Sequence, residues 1–124
     1  MNSRSKGKEG EREAARMLTK LFNIPVRRGQ QFRGGPDSPD VIGLEGLHVE
    51  VKRRERLNLD VALRQSAEET APGNVPMVLH RGNRTPWKFT IYAEDLPRFV
   101  ETTAGLLERG KEFLNQQKQL IKEK

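Results

Sequence analysis

The stretch PDVIGLEGLHVEVKR, residues 39–53, decides the fold of this chain of 124 residues. Two apolar runs, Asp40–Leu44 and Leu47–Arg53, lie on either side of the pair Glu45 and Gly46. Apolar runs of this length that are joined by a short turn with glycine are typical of a β-hairpin. The sequence therefore predicts two paired strands at the centre of the molecule.

The segments on both sides of this hairpin predict a single mixed α/β domain with the element order α-β-β-β-α-β-β-α. Helical and strand periodicity, glycines and prolines set the predicted boundaries. The predicted elements are helix Lys6–Phe22, strand Val26–Arg28, loop Gly29–Ser38, the hairpin, a helix from Asn58 or Asp60 to about Thr70, strands Val75–His80 and Lys88–Tyr92, and a helix from about Glu94.

One face of the second hairpin strand carries charged side chains. His48, Glu50 and Lys52 alternate with valines, so the three should share one face while the valines enter the core. A tight hairpin brings Asp40 beside this face. Two adjacent carboxylates repel each other unless a cation joins them, and oxygen ligands suit Mg²⁺ or Mn²⁺. Lys52 would then activate a water or neutralise a phosphate, whereas the alternative is an exposed strand face with ordinary salt bridges.

A third acid, Glu11, lies at the head of the apolar stripe of the first helix. Ala15, Leu18 and Phe22 follow it at helical spacing. A carboxylate aligned with a buried face is costly unless it is paired, and a metal site would provide the partner. The alternative is a position in the first turns, where an acid interacts favourably with the helix dipole and water is near.

Positive charge is concentrated in the first third of the chain. The 23 Lys and Arg residues exceed the 17 acids, which gives a net charge of +6. Residues 1–33 hold nine of the basic residues and three glutamates, and the remainder is neutral. This surplus suggests a polyanion such as nucleic acid, although a solvated basic helix would give the same count.

Composition excludes several classes of protein. The chain has no cysteine, which excludes disulfide scaffolds, zinc–thiolate sites and thiol catalysis. No apolar run approaches the roughly 18 residues that span a bilayer, and the first residues do not read as a signal peptide. We therefore expect a cytoplasmic protein without a membrane partner.

Taken in order, the motifs resemble those of a known superfamily of nucleases. Pro39-Asp40 followed by Glu50-Val51-Lys52 is similar to the PD-(D/E)-x-K signature, and the element order resembles the restriction-endonuclease-like αβββαβ core with its central mixed sheet. Within that superfamily, Lys6-Gly7, Glu11-Arg12-Glu13 and Val26-Arg27 resemble the opening of archaeal Holliday-junction resolvases. Three longer phrases look like small phage-encoded nucleases described as resolvases: RRGQQFRGGPDSPDV, HVEVKR and HRGNRTPW.

The resemblance implies one nuclease domain over residues 1–124, with a core at about 5–95 and a C-terminal helical extension at about 96–124. It implies that Asp40 and Glu50 bind Mg²⁺, for which Mn²⁺ can substitute, with the Val51 carbonyl as a further ligand. Lys52 matches the catalytic lysine. Glu11 matches an acid that helps to hold the metal or orient its water.

A second set of residues is expected to bind DNA. Arg12 and Arg27 match family residues that hold phosphate near the scissile bond, and the charge pattern adds Arg28, Arg33 and Arg53. Gln65 is similar to a glutamine that often faces such sites, the alternative being an ordinary exposed helix residue. The archaeal resolvases also carry a functional serine before the aspartate, and Ser38 is the serine available here, within a GQQFRGGPDS insertion that blurs the match.

The C-terminal helix carries apolar pairs at seven-residue steps: Leu106/Leu107, Phe113/Leu114 and Leu120/Ile121. This stripe must be buried against the domain or against a partner. Trp87 would pack in the core, stack on a base or contact another protomer. The stripe and Trp87 are the surfaces that we expect in a homodimer.

Three functions remain open at this point. The first is a metal-dependent endodeoxyribonuclease that resolves four-way junctions by paired cuts in DNA recombination and repair, in the host cytoplasm if the protein is phage-encoded. The second is a nuclease of the same type that acts on flaps, nicks or ordinary duplex. The third is a basic DNA-binding module without catalysis, against which the joint presence of Glu11, Asp40, Glu50 and Lys52 argues.

Overall fold

The computed structural model describes residues 3–29 and 39–123, with side chains from residue 7 onward. In this part of the chain the predicted order of helices and strands is confirmed, with a short 3₁₀ turn, Ala93–Asp95, before the last helix. The elements are α1 (Ser3–Phe22), β1 (Arg27–Arg28), β2 (Val41–Ile42), β3 (Leu47–Arg53), α2 (Leu59–Glu69), β4 (Val75–Arg81), β5 (Lys88–Thr90) and α3 (Leu96–Lys122).

The strands form one mixed sheet in the order β1-β2-β3-β4-β5. The central strands β3 and β4 are parallel and stay in register from Leu47 opposite Val75 to Arg53 opposite Arg81. All other neighbouring strands are antiparallel. Since parallel strands need a crossover, the chain passes through α2 between β3 and β4. The predicted α/β class with a central mixed sheet is confirmed.

The central strand β4 is buried on both faces, which explains its continuous apolar sequence. Val75, Met77 and Leu79 pack in the main core, which α1 covers with residues such as Leu18. Val78 points to the other face and packs against α2. The β3–β4 pair is therefore held between helices, and side chains at its edges are fixed by packing on both sides.

The predicted hairpin forms, but its first strand is shorter than predicted. Glu45 and Gly46 occupy the centre of a turn that is closed by the bond from the Leu47 amide to the Leu44 carbonyl, 3.1 Å long. Strand β2 ends before Gly43, which adopts a φ of +122° that side chains rarely allow. The predicted loop lies outside the described residues from position 30 to position 38.

Helix α3 contacts the domain through its middle. Leu106 and Gly110 are buried, and a Cβ atom at Gly110 would lie 1.7 Å from the Phe22 carbonyl oxygen at the end of α1. The predicted apolar stripe is thus divided, because Leu106 packs in the core while the other members are exposed: Leu107, Phe113, Leu114, Leu120 and Ile121. None of the helices that the structure describes has the length and apolar character of a membrane span.

Candidate metal centre

Asp40 lies where β1, β2 and β3 meet, and three backbone contacts hold it there. Its amide donates to the Val49 carbonyl at 3.0 Å, and its carbonyl accepts from the Gly29 amide at 2.8 Å. Its side-chain Oδ2 accepts from the Val51 amide at 2.7 Å, and the residue is buried. The Asp40 carboxylate is therefore fixed against β3 at Val51, the residue after Glu50.

Glu50 is paired with Asp40 through a side-chain hydrogen bond. Burial, followed by the negative charges of Asp40 and Glu69, raises the pKa of Glu50 to about 8, although the positive charge of Lys52 opposes the shift. Burial beside Asp40 therefore favours the protonated form of the Glu50 carboxyl. Its Oε2 atom is buried without a hydrogen-bond partner among the residues that the structure describes.

Glu11 of α1 approaches Asp40 from the helix side of the sheet. Burial and the charge of Asp40 raise its pKa, whereas Arg28 and Arg12 lower it. The Arg28 Nε atom lies 3.3 Å from Glu11 Oε2, and the Glu11 side chain is only 14% exposed. Because α1 begins at Ser3, Glu11 lies inside the helix rather than in its first turn. The structure therefore places both Glu11 and Glu50 within electrostatic range of Asp40.

His48, predicted on the charged face of β3 with Glu50 and Lys52, is not exposed on that face. It is buried, with only 3% of its side chain exposed, and its Nε2 atom lies 4.0 Å from Glu50 Oε2. Helix α2 covers this face of β3, because the hydroxyl of the buried Ser66 donates to the His48 carbonyl at 3.3 Å. His48 therefore borders the acidic cluster from the side of α2.

Glu69 is the site residue that the sequence analysis missed. Its Oε2 atom lies 3.9 Å from His48 Nε2. One ligand atom each from His48, Glu50 and Glu69 lies within 4.8 Å of the others, a spacing at which one cation could contact all three. The available signal was helical spacing, since Glu69 lies one turn after the predicted Gln65 on α2. Gln65 itself is exposed, which agrees with the alternative interpretation of an ordinary helix residue.

Four more of the predicted residues are described by the structure. Lys52 is half-buried on β3 and acts electrostatically on Glu50, while the Val51 backbone adjoins Asp40. Arg12 is exposed and pairs with Glu9 at 3.0 Å. Arg27 is exposed on β1.

One further predicted residue, Arg53, lies away from this centre. Arg53 ends β3 and pairs with Glu13 of α1, with 3.4 Å between Nε and Oε2. Arg33 and Ser38 lie outside the described residues. The structure therefore groups the acids, Lys52 and Arg28, and places Arg53 at a second cluster.

The donor set fits a hard divalent cation. Carboxylate oxygens dominate it, and burial and the charge of Asp40 raise the pKa of Glu50, which is the effect expected where buried acids repel each other without a cation. Glu50 Oε2, which is buried without a hydrogen-bond partner in the described part of the chain, is the atom that a cation would satisfy. Loading a cation would require Glu50 to release its proton.

Comparisons with known proteins give a likeness to a solved structure. No protein-family model and no curated protein matches the chain. A search of solved structures matches it to Archaeoglobus fulgidus Hjc, a Holliday junction resolvase from an archaeal hyperthermophile. The two chains are 24% identical over 69% of this chain and 72% of the other, with a TM-score of 0.43.

A likeness at this level does not carry an activity from one chain to another. The function of this chain therefore has to be argued from its own side chains.

Proposed function

We propose that this protein is a divalent-metal-dependent DNA endonuclease of the PD-(D/E)-x-K type, and that its substrate is the four-way junction. The observation that carries the proposal is the hydrogen-bonded pair Asp40–Glu50, which has Glu11 on one side and Lys52 on the same strand. Burying several acids together costs stability, which is expected at a site where a cation and a phosphate are bound.

The carboxylates of Asp40 and Glu50 would hold Mg²⁺ or Mn²⁺, with the Val51 carbonyl as a further ligand. When bound, the cation would act as a Lewis acid that polarises the phosphodiester and lowers the pKa of a bound water. Glu11, oriented by Arg28, would fix a water by accepting its hydrogen bond. The Asp40 carboxylate keeps its orientation because it is bonded to the Val51 amide.

Lys52 would stabilise the negative charge that develops on the phosphate. It is half-buried and close enough to Glu50 to lower the pKa of that carboxyl. An ammonium in a partly buried position acts more strongly on a phosphate than one in bulk water, because the local dielectric is lower. Arg12 and Arg27, both exposed and both part of the basic first third of the chain, would hold the adjoining DNA backbone.

Resolution of a four-way junction requires two opposed cuts, and one chain carries one such cluster. We therefore propose a two-fold homodimer. The outer face of α3 supports this proposal, because Leu107, Leu114 and Ile121 recur every seven residues and are 45%, 39% and 74% exposed. An apolar face of this length is unfavourable in water unless a partner covers it.

The test compares cleavage of a labelled four-way junction with cleavage of a linear duplex of the same arms, each with Mg²⁺ and with EDTA. Asp40→Asn is the informative variant, since an amide oxygen can still accept from the Val51 amide while the negative charge is lost. Glu45→Gln is the matched control, because this acid is 84% exposed and pairs with Arg109 outside the cluster.

We expect Mg²⁺-dependent paired cuts in the junction by the wild type and by Glu45→Gln, and none by Asp40→Asn. Equal cutting of junction and duplex would replace the junction with a broader nuclease substrate. If the wild type binds DNA but neither it nor the control variant cleaves in Mg²⁺ or Mn²⁺, the proposal of an enzyme is contradicted. The non-catalytic DNA-binding module would then remain.

A further inference from the structure

A second charged cluster lies at the C-terminal ends of β3 and β4, next to Lys52 in sequence. Arg53 and Arg81 are the last register pair of these parallel strands. Glu13 of α1 bridges them, since its Oε1 lies 2.6 Å from Arg81 Nη1 and its Oε2 lies 3.4 Å from Arg53 Nε. One carboxylate thus serves two guanidinium groups, and the cluster keeps a net positive charge.

Arg81 is held more firmly than a surface arginine. Besides Glu13, its Nε donates to the Gly82 carbonyl at 3.2 Å, and its guanidinium carbon lies 5.6 Å from the centre of the Trp87 ring. These contacts use Nε and Nη1, and Nη2 has no hydrogen-bond partner within the described residues. A guanidinium that is fixed on two sides loses little further entropy when it binds a planar or tetrahedral anion.

A groove of about 680 Å³ opens over this cluster. Arg53, Arg81 and Arg84 line it together with Asn83 and Glu55. Glu55 is occupied by the Asn83 amide, whose hydrogen bond it accepts across the groove. Three arginines against one acid in the lining give the groove a positive potential, which Glu13 beneath it reduces but does not cancel.

We propose that this groove is a second phosphate-binding site for DNA, distinct from the metal centre, with Arg81 and Arg84 as its principal ligands. The inference rests on the proposed function, because DNA is the polyanion that a nuclease must hold. It gives a role to two arginines of the phrase HRGNRTPW, Arg81 and Arg84, to which the sequence analysis assigned none, since Arg53 alone was expected to contact DNA there.

Geometry gives this site a position on the substrate. Arg53 lies three residues beyond Glu50 on one strand, which separates the groove from the acids by about 10 Å at a strand rise of about 3.3 Å per residue. The groove would therefore hold a backbone phosphate near the one at the metal centre, on the same stretch of DNA.

The experiment measures binding to a labelled four-way junction and to its linear duplex in EDTA, which prevents cleavage, over a range of salt concentrations. The variants are Arg81→Gln and Arg84→Asn. Asn tolerates the positive φ of 60° at position 84, and this exposed turn leaves the ion pairs of Glu13 intact. Arg109→Gln is the matched control, since Arg109 pairs with Glu45 before the other end of β3.

Each groove variant is expected to weaken binding about fivefold to tenfold near 0.1 M salt and to lower the salt slope by about one. Arg109→Gln should retain the wild-type affinity and slope. Because Arg81 also supports the fold, thermal melting reports whether Arg81→Gln is folded, and Arg84→Asn carries the test if it is not.

A scan with single methylphosphonates, which remove one backbone charge at a time, localises the contact. One neutralised phosphate should weaken the wild type and have no effect on Arg84→Asn. Wild-type binding and slope in both groove variants, or no phosphate whose effect the variants abolish, would overturn the second site. Absence of cleavage with the phosphate contact intact would instead contradict only the proposed nuclease, so the two failures are distinguishable.

Discussion

Replacing Glu50 with Gln is predicted to abolish cleavage and, at the same time, to stabilise the fold at neutral and alkaline pH. The reason is the raised pKa of Glu50, about 8, whose first cause is burial and whose second is the charge of Asp40. An acid whose pKa is higher in the folded state than in the unfolded state favours folding in its protonated form. Its stabilising preference is present below pH 4.5 and is lost as the pH rises towards 8.

The size of the effect follows from that displacement. A change in pKa from 4.5 to about 8 corresponds to an upper bound of about 5 kcal/mol above pH 8. The charge is shared with Asp40 and partly reached by water, so we expect about 1–3 kcal/mol. Gln keeps the shape and can donate to Asp40 without ever carrying the charge. For a chain of this length the gain corresponds to a rise in Tm of about 3–5 °C per kcal/mol.

The assay is urea unfolding of the wild type, Glu50→Gln and the exposed control Glu45→Gln at pH 5, 6.5 and 8 in EDTA. The free energy of unfolding of the wild type should fall with pH, that of Glu50→Gln should fall less, and Glu45→Gln should follow the wild type. Adding Mg²⁺ at pH 8 should stabilise the wild type but not Glu50→Gln, because a ligand stabilises only the state that binds it.

Two results would refute this reasoning. One is a wild type whose stability does not change between pH 5 and pH 8. The other is a Glu50→Gln variant that is less stable than the wild type at pH 8, which would mean that the carboxylate is stabilised by its surroundings rather than strained by them.

The remaining predictions concern catalysis, packing, DNA contacts and assembly. Lys52→Ala should lower single-turnover cleavage at least about 100-fold with junction binding unchanged, and near-normal turnover would remove Lys52 from the mechanism. Gly110→Ala should lower the free energy of unfolding in urea by about 2–4 kcal/mol, because the new Cβ atom would meet the Phe22 carbonyl. Gly105→Ala is the control, since there is open space around Gly105, and it should leave stability unchanged or raise it. Replacing four arginines of the first third of the chain with alanine should flatten the salt dependence of DNA binding. These are Arg12, Arg27, Arg28 and Arg33, and an unchanged slope would mean that the DNA binds elsewhere. Replacing Leu107, Leu114 and Ile121 on the outer face of α3 with polar residues should give a monomer that nicks junctions but makes no paired cuts. Sedimentation measures the oligomeric state and junction cleavage measures the cuts, and a variant that stays dimeric would exclude this interface.

Local sequence patterns were sufficient for the element order and for the pairing of Asp40 with Glu50. Both features depend on short range: the periodicity of apolar residues sets helices and strands, and a tight turn brings residues ten positions apart together. Glu11 could be predicted because it continues an apolar stripe, which indicates the buried face of a helix. The short β2 was not predicted, since the backbone of Gly43 is constrained by contact with Pro25, whose carbonyl a Cβ atom would meet at 2.4 Å.

Helix α2 decided the other side of the centre. Alternation along β3 predicts that His48 lies on a polar face, but the pattern does not say what covers that face. Packing of Ser66 against the strand buries His48 and brings Glu69 to it across 21 positions of sequence. The pKa of Glu50 has the same origin, because desolvation depends on the elements that surround a group rather than on its neighbours in the chain.

The second cluster depends on tertiary structure most of all. Glu13 and Arg81 are 68 positions apart, and they meet because α1 crosses the sheet where the parallel strands β3 and β4 end together. Residue types and spacing therefore indicated which side chains are candidates for the proposed chemistry, since that information lies in local patterns. Only the packing of helices on the sheet decided which distant charges those side chains meet, because electrostatic interactions follow distance in space and not separation in sequence.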